Sequence, residues 1–220
     1  MTACWINGIA HTVDDDPRLI DYLRDTLRLT SVKDGCSAGA CGACTVLCDG
    51  KKTKACVSKV SRFAGCHLLT VEGLSTRERA VYTYAFAEAG AVQCGYCIPG
   101  MVLSAKALLD ENKTPSRSQI KQAIAGNICR CTGYQKIEDA ILLAALWFRE
   151  EREIPAARER GQIGEHLQRI DAAEKVNGTG CFTDDIVLPG MIYAKALRSR
   201  YPRARIVKID VEQARKHPDT

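Results

Sequence analysis

The sequence predicts an α+β fold in several parts, and three features of the residue pattern support it. Residues 1–75 alternate short apolar runs with two-residue turn signals, which is typical of strands and hairpins. Residues 76–150 carry apolar side chains at helical spacing. A charged stretch with a proline and a glycine follows at 151–165 and predicts a linker. Residues 166–220 then form a further domain, in which 192–197 and 206–211 are predicted strands.

The first part predicts two hairpins and one helix. Asn7-Gly8 and Asp49-Gly50 are two-residue turn signals, each between strand-like runs. Asp16 and Pro17 suit the cap and the first turn of a helix that carries the next apolar residues. These helix residues are Leu19, Ile20, Leu23 and Leu27. A hairpin, a helix, a cysteine-rich loop and a second hairpin, in this order, suit a ferredoxin-like β-grasp domain.

The second part predicts four helices. Their apolar residues recur every three or four positions, and Ser116 suits the N-cap of the third helix. The helices centre on 81–85, 99–109, 120–124 and 137–148. Trp147 is assigned to their shared core rather than to a ligand contact. Short connections between four such helices predict a small bundle.

A group of four cysteines in the first part has the spacing C-x4-C-x2-C-x11-C. The group consists of Cys36, Cys41, Cys44 and Cys56. The opening spacing is typical of plant-type ferredoxins, which hold a 2Fe–2S cluster. The intervening glycines and alanines leave room for the backbone to wrap a cluster and to point N–H groups at its sulfurs. A four-thiolate zinc site and disulfides are the alternatives, and the spacing favours the cluster.

A second group of four cysteines lies in the helical part. It consists of Cys94 and Cys97, spaced C-x2-C, and of Cys129 and Cys131, spaced C-x-C. The first pair alone also suits a redox-active dithiol. Cys129 and Cys131 are too close in sequence to bridge each other comfortably, but both can bind one metal centre. The sequence therefore predicts a second 2Fe–2S cluster, held between helices.

Composition limits the remaining possibilities. The chain has 12 cysteines, and the four outside the two groups are predicted to be buried small apolar residues: Cys4, Cys48, Cys66 and Cys181. The N-terminus lacks the pattern of a secretory signal and no stretch is long enough to span a membrane, so a cytoplasmic location is expected. The net charge of +5 comes from dispersed residues and gives little support to nucleic-acid binding.

Three segments together resemble the iron–sulfur portion of the molybdenum hydroxylases. They are GCSAGACGACTV at 35–46 with the later Cys56, QCGYCIPGM at 93–101, and GNICRCTGYQKI at 126–137. The family includes xanthine dehydrogenases, aldehyde oxidoreductases and the small subunits of carbon monoxide dehydrogenases. From Ile163 onward the chain is similar to the opening of the molybdenum-binding portion, which implies the start of an α/β hammerhead-like domain.

The resemblance implies an oxidoreductase function. This chain would pass electrons from a molybdopterin centre through two 2Fe–2S clusters to an external acceptor, during oxidative hydroxylation of a purine such as xanthine or hypoxanthine. The eight cysteines of the two groups would be the cluster ligands, and Gln93 and Cys131 would also contact the pterin. An aldehyde oxidoreductase of the same family and a stand-alone 2Fe–2S carrier are the alternatives. A zinc-stabilised interaction module is a third hypothesis, from a different class.

The junction after residue 150 also limits the partners. The predicted linker is too short to contain a flavin domain, so no FAD site is expected in this chain. Direct fusion resembles the flavin-free aldehyde oxidoreductases or the selenium-dependent xanthine dehydrogenases. Expected partners are the rest of the molybdenum-binding portion, an external acceptor or separate flavin subunit, and further copies in a homo-oligomer. The chain is expected to be truncated within the last domain, to lack the substrate site, and to be poorly ordered from residue 166.

Overall fold

A computed structural model gives the fold of the chain and describes residues 1–156, 161–194 and 196–216. It divides into two compact units, Met1–Asp185 and Ile186–Thr220, which are described separately below. Some residues of the predicted segments lie outside this description: 157–160 of the linker, Lys195 of the first predicted C-terminal strand, and 217–220.

The first unit begins with a five-stranded sheet. Its strands are β1 (Thr2–Ile6), β2 (Ile9–Val13), β3 (Thr45–Cys48), β4 (Lys51–Lys54) and β5 (His67–Leu69). They lie in the order β2-β1-β5-β3-β4. β1 and β5 are parallel, and the other neighbouring pairs are antiparallel. The expected mixed β-grasp sheet is therefore present.

Both predicted hairpin turns are confirmed. Asn7 and Gly8 have φ angles of 52° and 84° between β1 and β2, and Asp49 and Gly50 have φ angles of 47° and 78° between β3 and β4. Two successive residues with positive φ form the type of turn whose twist matches that of paired antiparallel strands. Asparagine, aspartate and glycine tolerate this conformation better than other residues.

The predicted helix of the first part forms, but its start differs from the prediction. Helix α1 (Leu19–Asp21) continues as a π-helical turn over Tyr22–Thr26. Arg18 precedes it without a side-chain cap, so the prediction that Asp16 caps the helix is wrong. Asp16 instead accepts hydrogen bonds from the backbone N–H and the hydroxyl of Ser61, at 2.8 and 3.0 Å. The helix buries apolar side chains beneath the sheet: Leu19, Ile20 and Leu23.

Four helices follow, as predicted. They are α2 (Thr76–Glu88), α3 (Ile98–Glu111), α4 (Arg117–Ile124) and α5 (Gln135–Arg149). Their buried side chains form one continuous core, in which Met101 is fully buried and Trp147 is mostly buried. The assignment of Trp147 to the core is therefore confirmed.

Local sequence determines where two of these helices begin. Ser75 and Ser116 each accept a hydrogen bond from the backbone N–H three residues later. Glu78 and Gln119 accept hydrogen bonds in return from the backbone N–H of those serines, which completes a capping box. The predicted N-cap at Ser116 is thus confirmed.

The first unit extends beyond the predicted linker. Helix α6 (Ala172–Asn177) packs on α2 and α3 and buries Ala172 and Val176. Gly178 ends it with a φ of 75°. The segment up to Asp185 therefore belongs to the first unit, and the bundle buries the apolar face of α6. The expectation of poor order from residue 166 onward is wrong for this segment.

A buried ion-pair cluster fastens the end of the first unit. The Asp185 carboxylate lies 2.6 Å from Lys33 Nζ and 2.7 Å from an Arg24 guanidinium nitrogen. Lys33 Nζ also lies 4.7 Å from the centre of the Phe182 ring. Since the Lys33 side chain is 1% exposed, its charge depends on these partners for compensation.

The second unit contains the short helix α7 (Glu212–Arg215). The strands predicted at 192–197 and 206–211 are absent from the residues that the structure describes there. A strand needs a neighbour to satisfy its backbone groups, and a lone hairpin is marginal in water. The apolar pattern was therefore not sufficient to form strands. Within the described ranges, no helix has the length and apolarity needed to cross a membrane.

Candidate metal centres

The first group of cysteines lies in the loop before β3 and in the turn after β4. Cys36 and Cys41 are half-buried in the loop, and Cys44 is buried immediately before β3. Cys56 is buried within a 3₁₀ turn, Ala55–Val57. The β3–β4 hairpin therefore carries the fourth cysteine back to the loop that holds the other three.

Backbone N–H groups of this loop point at the sulfur atoms. The N–H groups of Ala38 and Cys41 donate to Cys36 Sγ, both at 3.4 Å, and the N–H of Gly39 donates to Cys56 Sγ at 3.3 Å. The hydrogen bonds from the Cys41 and Ala38 N–H groups lower the pKa of Cys36 to about 7. Thiolates are the form that binds a metal, so the loop is suited to hold one.

The sulfur atoms of the first group come together in two pairs. The Cys36 thiol lies next to the Cys41 thiol, and the Cys44 thiol lies next to the Cys56 thiol. Burial raises the pKa of Cys44 to about 12, although a backbone hydrogen bond with Cys56 opposes this shift. Cys44 is therefore protonated at neutral pH without a metal, and a bound cation would have to displace that proton.

The second group shows the same arrangement in two pairs. Cys97 precedes α3 as its N-cap residue, and its thiol lies against that of Cys129 in the connection between α4 and α5. Cys94 and Cys131 form the other pair. Cys97 is buried, whereas Cys94 and Cys131 are exposed. One edge of this second site therefore faces outward.

Polar groups also surround the sulfur of Cys129. The Thr132 N–H donates to it at 3.5 Å, and the Thr132 hydroxyl lies 3.2 Å away. The Tyr134 hydroxyl accepts the Cys129 backbone N–H at 2.9 Å. Burial alone would raise the pKa of Cys129, but the hydrogen bonds from Thr132 lower it overall. This environment again favours a thiolate.

The spread of the sulfurs distinguishes a two-iron centre from a single zinc ion. In a four-thiolate zinc site every pair of sulfurs is about 3.8 Å apart, given Zn–S bonds of about 2.3 Å. Among the residues that the structure describes, only Cys48, Asp49 and Cys66 bring three possible metal-binding atoms, sulfur or oxygen, within 4.8 Å of one another. Neither group of four meets that condition, and two separated pairs of thiols suit two metal ions in each centre.

The loops of the two sites touch each other. The Ile128 N–H donates to the Cys41 carbonyl oxygen at 2.7 Å, and the Asn127 side chain donates to the Gly42 carbonyl oxygen at 2.9 Å. A Cβ atom on Gly42 would lie only 2.2 Å from the Gly126 carbonyl oxygen. Because Ile128 immediately precedes Cys129, one hydrogen bond links the backbone of a cysteine in the first group to the neighbour of a cysteine in the second.

The other predicted residues are only partly as expected. Gln93 is exposed beside Cys94, on the outward edge of the second site. Cys4 is buried as predicted, but Cys48 and Cys66 are only half-buried and Cys181 is exposed, so the prediction of burial is wrong for those three. Sequence reasoning also missed the proximity of Cys48 to Cys66. Their 18-residue separation carries no recognised metal-binding spacing, and the pairing of β3 with β5 brings them together.

Three family descriptions match this chain. "2Fe-2S iron-sulfur cluster binding domain" matches residues 6–63, and "2Fe-2S binding domain" matches residues 70–142. "Aldehyde oxidase and xanthine dehydrogenase, a/b hammerhead domain" matches residues 177–220. The first two matches contain the two cysteine groups, and the third begins within α6.

Several known proteins are similar to the chain. It is 46% identical over 142 residues to the nicotinate dehydrogenase small FeS subunit of Eubacterium barkeri, covering 63% of this chain and 90% of that protein. It is 37% identical over 226 residues to the aldehyde oxidoreductase of Megalodesulfovibrio gigas, covering 95% of this chain but 25% of that protein.

A solved structure supports the same relationship. The aldehyde oxidoreductase from Desulfovibrio desulfuricans matches with a TM-score of 0.76 at 41% identity, over 84% of this chain and 22% of that one. The chain thus spans about a quarter of the aldehyde oxidoreductases that it resembles. With nearly all of a small FeS subunit matched as well, the chain belongs to the molybdenum hydroxylase family and contains two 2Fe–2S binding domains.

Proposed function

We propose that this chain is the electron-transfer portion of a molybdenum hydroxylase, and that it carries electrons from a molybdopterin centre to an external acceptor. The observation that carries the proposal is the hydrogen-bonded contact between the loops of the two cysteine groups. A carrier with two centres needs them close together, whereas two independent structural metal sites do not.

The proposed ligands of the first centre are Cys36, Cys41, Cys44 and Cys56, and those of the second are Cys94, Cys97, Cys129 and Cys131. The thiol pairs within each group support this assignment, as each pair would bind one iron. A bound 2Fe–2S cluster supplies one-electron redox chemistry. The N–H donors around Cys36 and Cys56 stabilise negative charge on sulfur, which is the protein's means of adjusting such a potential.

We propose that the second centre lies next to the molybdenum cofactor of the complete enzyme. Its outward edge carries Cys94 and Cys131, and the exposed Gln93 lies beside Cys94. Gln93 and Cys131 are the residues that would contact the pterin, Gln93 through its amide group. The half-buried Cys36 and Cys41 would then lie on the side from which electrons leave.

Three domains would share this work: residues 1–75 with the first centre, 76–150 with the second, and 166–220 as the start of the molybdenum-binding portion, after a linker at 151–165. Proposed partners are the rest of that portion, an external acceptor or a separate flavin subunit, and a further copy of the complete enzyme. Several relatives are themselves subunits, which supports work within a larger complex. Neither a nucleic-acid nor a membrane partner is proposed, and the cytoplasmic location stays a prediction.

The substrate has two candidates. Hydroxylation of a purine such as xanthine is the function expected from the sequence, and a probable xanthine dehydrogenase subunit of Bacillus subtilis is 44% identical over 131 residues. Oxidation of an aldehyde is favoured by a different observation, namely that similarity to an aldehyde oxidoreductase continues over 95% of the chain. The match therefore continues through the direct junction after residue 150, whereas the match to a small FeS subunit covers only 63% of the chain.

The proposal is tested first on the purified chain. We expect about four iron atoms and four acid-labile sulfides per chain, with the red-brown absorption of 2Fe–2S proteins. A colourless protein that contains zinc would contradict it. The complete enzyme then decides the substrate: xanthine, hypoxanthine and aldehydes are added in turn, and bleaching of the visible absorption identifies the compound that delivers electrons. Reduction by none of them would refute both substrate candidates.

A further inference from the structure

A third set of metal-binding side chains lies outside the two cysteine groups. Cys48 ends β3, Asp49 begins the following turn, and Cys66 immediately precedes β5. One donor atom from each lies within 4.8 Å of the other two. The Cys48 thiol donates a hydrogen bond to Asp49 Oδ2, and the Cys66 thiol donates one to the Ala64 carbonyl oxygen. Two sulfurs and one carboxylate oxygen therefore converge on one point.

The spacing of these atoms suits a single tetrahedral ion. Zn–S bonds of about 2.3 Å and Zn–O bonds of about 2.0 Å make the S···O edge of a tetrahedral site about 3.5 Å. Cys48 Sγ lies 3.7 Å from Asp49 Oδ2. Thus a cation placed between these donors requires only a small adjustment of side chains.

The backbone already holds the donors in place. The second carboxylate oxygen of Asp49, Oδ1, accepts the His67 N–H at 2.9 Å, which leaves Oδ2 directed towards Cys48. The Asp49 N–H donates to the His67 carbonyl oxygen at 2.9 Å, and the Cys66 carbonyl oxygen accepts the Trp5 N–H at 3.0 Å. A carboxylate oriented by a backbone hydrogen bond is the usual outer support of a metal ligand.

The set is separate from the first cysteine group. Cys44 lies just before β3 and Cys48 is its last residue, so the two are four residues apart along an extended strand. At about 3.3 Å per residue, they are about 13 Å apart. That distance is too long for Cys48 to share a metal ion with Cys44.

We propose that Cys48, Asp49 and Cys66 bind one zinc ion through two thiolates and one carboxylate oxygen, with water in the fourth position. Thiolate ligands select zinc over the harder cations magnesium and calcium. Binding releases the two thiol protons to solvent. The ion would add a link between the β3–β4 turn and the start of β5, two segments that sheet pairing and the Asp49 hydrogen bonds already join.

The test uses the full iron-loaded chain, treated with a weak chelator and then titrated with zinc chloride in a calorimeter. Wild type is expected to bind one zinc ion more than Cys48→Ala or Cys66→Ala, with unchanged iron content. Asp49→Asn is expected to weaken zinc binding by about tenfold or more. Asparagine tolerates the positive φ of this turn and keeps an oxygen for the His67 N–H, so it removes mainly the charge.

The controls separate this site from other thiols and from misfolding. Cys181→Ala removes an exposed cysteine outside the set and should bind zinc like wild type. Iron content and visible absorption report whether each variant is folded. If a cysteine variant loses iron, the zinc affinity of Asp49→Asn is the measurement that tests the site. Equal zinc binding by wild type and Cys48→Ala overturns the proposal. So does undiminished affinity in Asp49→Asn, or a Cys48–Cys66 disulfide in protein purified without oxygen.

Discussion

The backbone N–H of Ile128 donates to the carbonyl oxygen of Cys41 at 2.7 Å, and this bond joins the loops of the two cysteine groups. The buried Asn127 lies beside it and reinforces the same contact. The contact therefore stabilises the fold, and it also lies on the electron-transfer route that we propose.

Replacing Asn127 with alanine should destabilise the protein by about 1–3 kcal/mol. Its amide donates to the Gly42 carbonyl oxygen and accepts the Ser104 hydroxyl at 2.7 Å, and all three groups are buried. Loss of the amide leaves the buried Ser104 hydroxyl without this partner, which costs about 1–3 kcal/mol, whereas the Gly42 carbonyl oxygen keeps hydrogen bonds from the backbone N–H and the hydroxyl of Thr45. Denaturant unfolding measures the change. Gln122→Ala, an exposed amide nearby, should change stability by less than about 0.5 kcal/mol, and equal effects of both variants would contradict this reasoning.

A methyl group at Gly42 should separate the two loops. Gly42 has a φ of 74°, and its Cβ would lie 2.2 Å from the Gly126 carbonyl oxygen and 2.9 Å from Asn127 Cα. Gly50→Ala is the matched control, because Gly50 has a φ of 78° but nothing within 4 Å of a Cβ.

Gly50→Ala should therefore cost only the conformational strain, about 1–2 kcal/mol. Gly42→Ala should cost several kcal/mol more and reduce the iron content. Urea unfolding and iron analysis of both variants measure these effects. If the two variants behaved alike, the close approach of the loops would not be a constraint.

The two cysteine groups should act independently as metal sites. They belong to separate cores, one beneath the sheet and one within the helices. Cys44→Ser should abolish one paramagnetic resonance signal of the reduced protein and leave the other, while Cys129→Ser should do the reverse. Cys181→Ser serves as the control that leaves both signals. Loss of both signals from a folded single variant would show that the ligands are wrongly assigned.

The ion pairs of Asp185 should make stability depend on pH in the acid range. Although burial raises it, hydrogen bonds from Lys33 and Arg24 lower the pKa of Asp185 overall. A carboxyl with a lowered pKa in the folded state stabilises the protein above its unfolded pKa of about 3.9, and this stabilisation is lost as the pH falls through the folded value.

Asp185→Asn should therefore cost about 3 kcal/mol at pH 7, since Lys33 then remains buried without its charged partner. Its unfolding free energy should also fall less steeply than that of wild type below about pH 4. Denaturant unfolding at several pH values tests both expectations. Asp139→Asn breaks an exposed pair with Arg117 and should cost at most about 1 kcal/mol. An Asp185→Asn variant as stable as that control would refute the structural role of the ion pairs of Asp185.

Local sequence by itself determined the elements whose causes lie within a few residues. Asn7-Gly8 and Asp49-Gly50 form their turns because those residues tolerate positive φ, and Ser116 caps its helix because Gln119 is three positions away. The cysteine spacing likewise predicted both candidate centres, because C-x4-C-x2-C, C-x2-C and C-x-C each place thiols within one loop. The fold was still needed to bring Cys56 to the first loop, and Cys129 and Cys131 to Cys94 and Cys97.

Only the tertiary structure decided how distant segments meet. Asn127 and Gly42 are 85 positions apart, and no local pattern predicts that their loops touch. The same holds for α6, whose apolar face is buried by α2, and for Cys48 and Cys66, which sheet pairing brings together. The strands predicted at 206–211 and 192–197 are absent from the described residues of those ranges for a related reason. A helix satisfies its backbone groups within itself, but a strand depends on a neighbour that its own residues cannot specify.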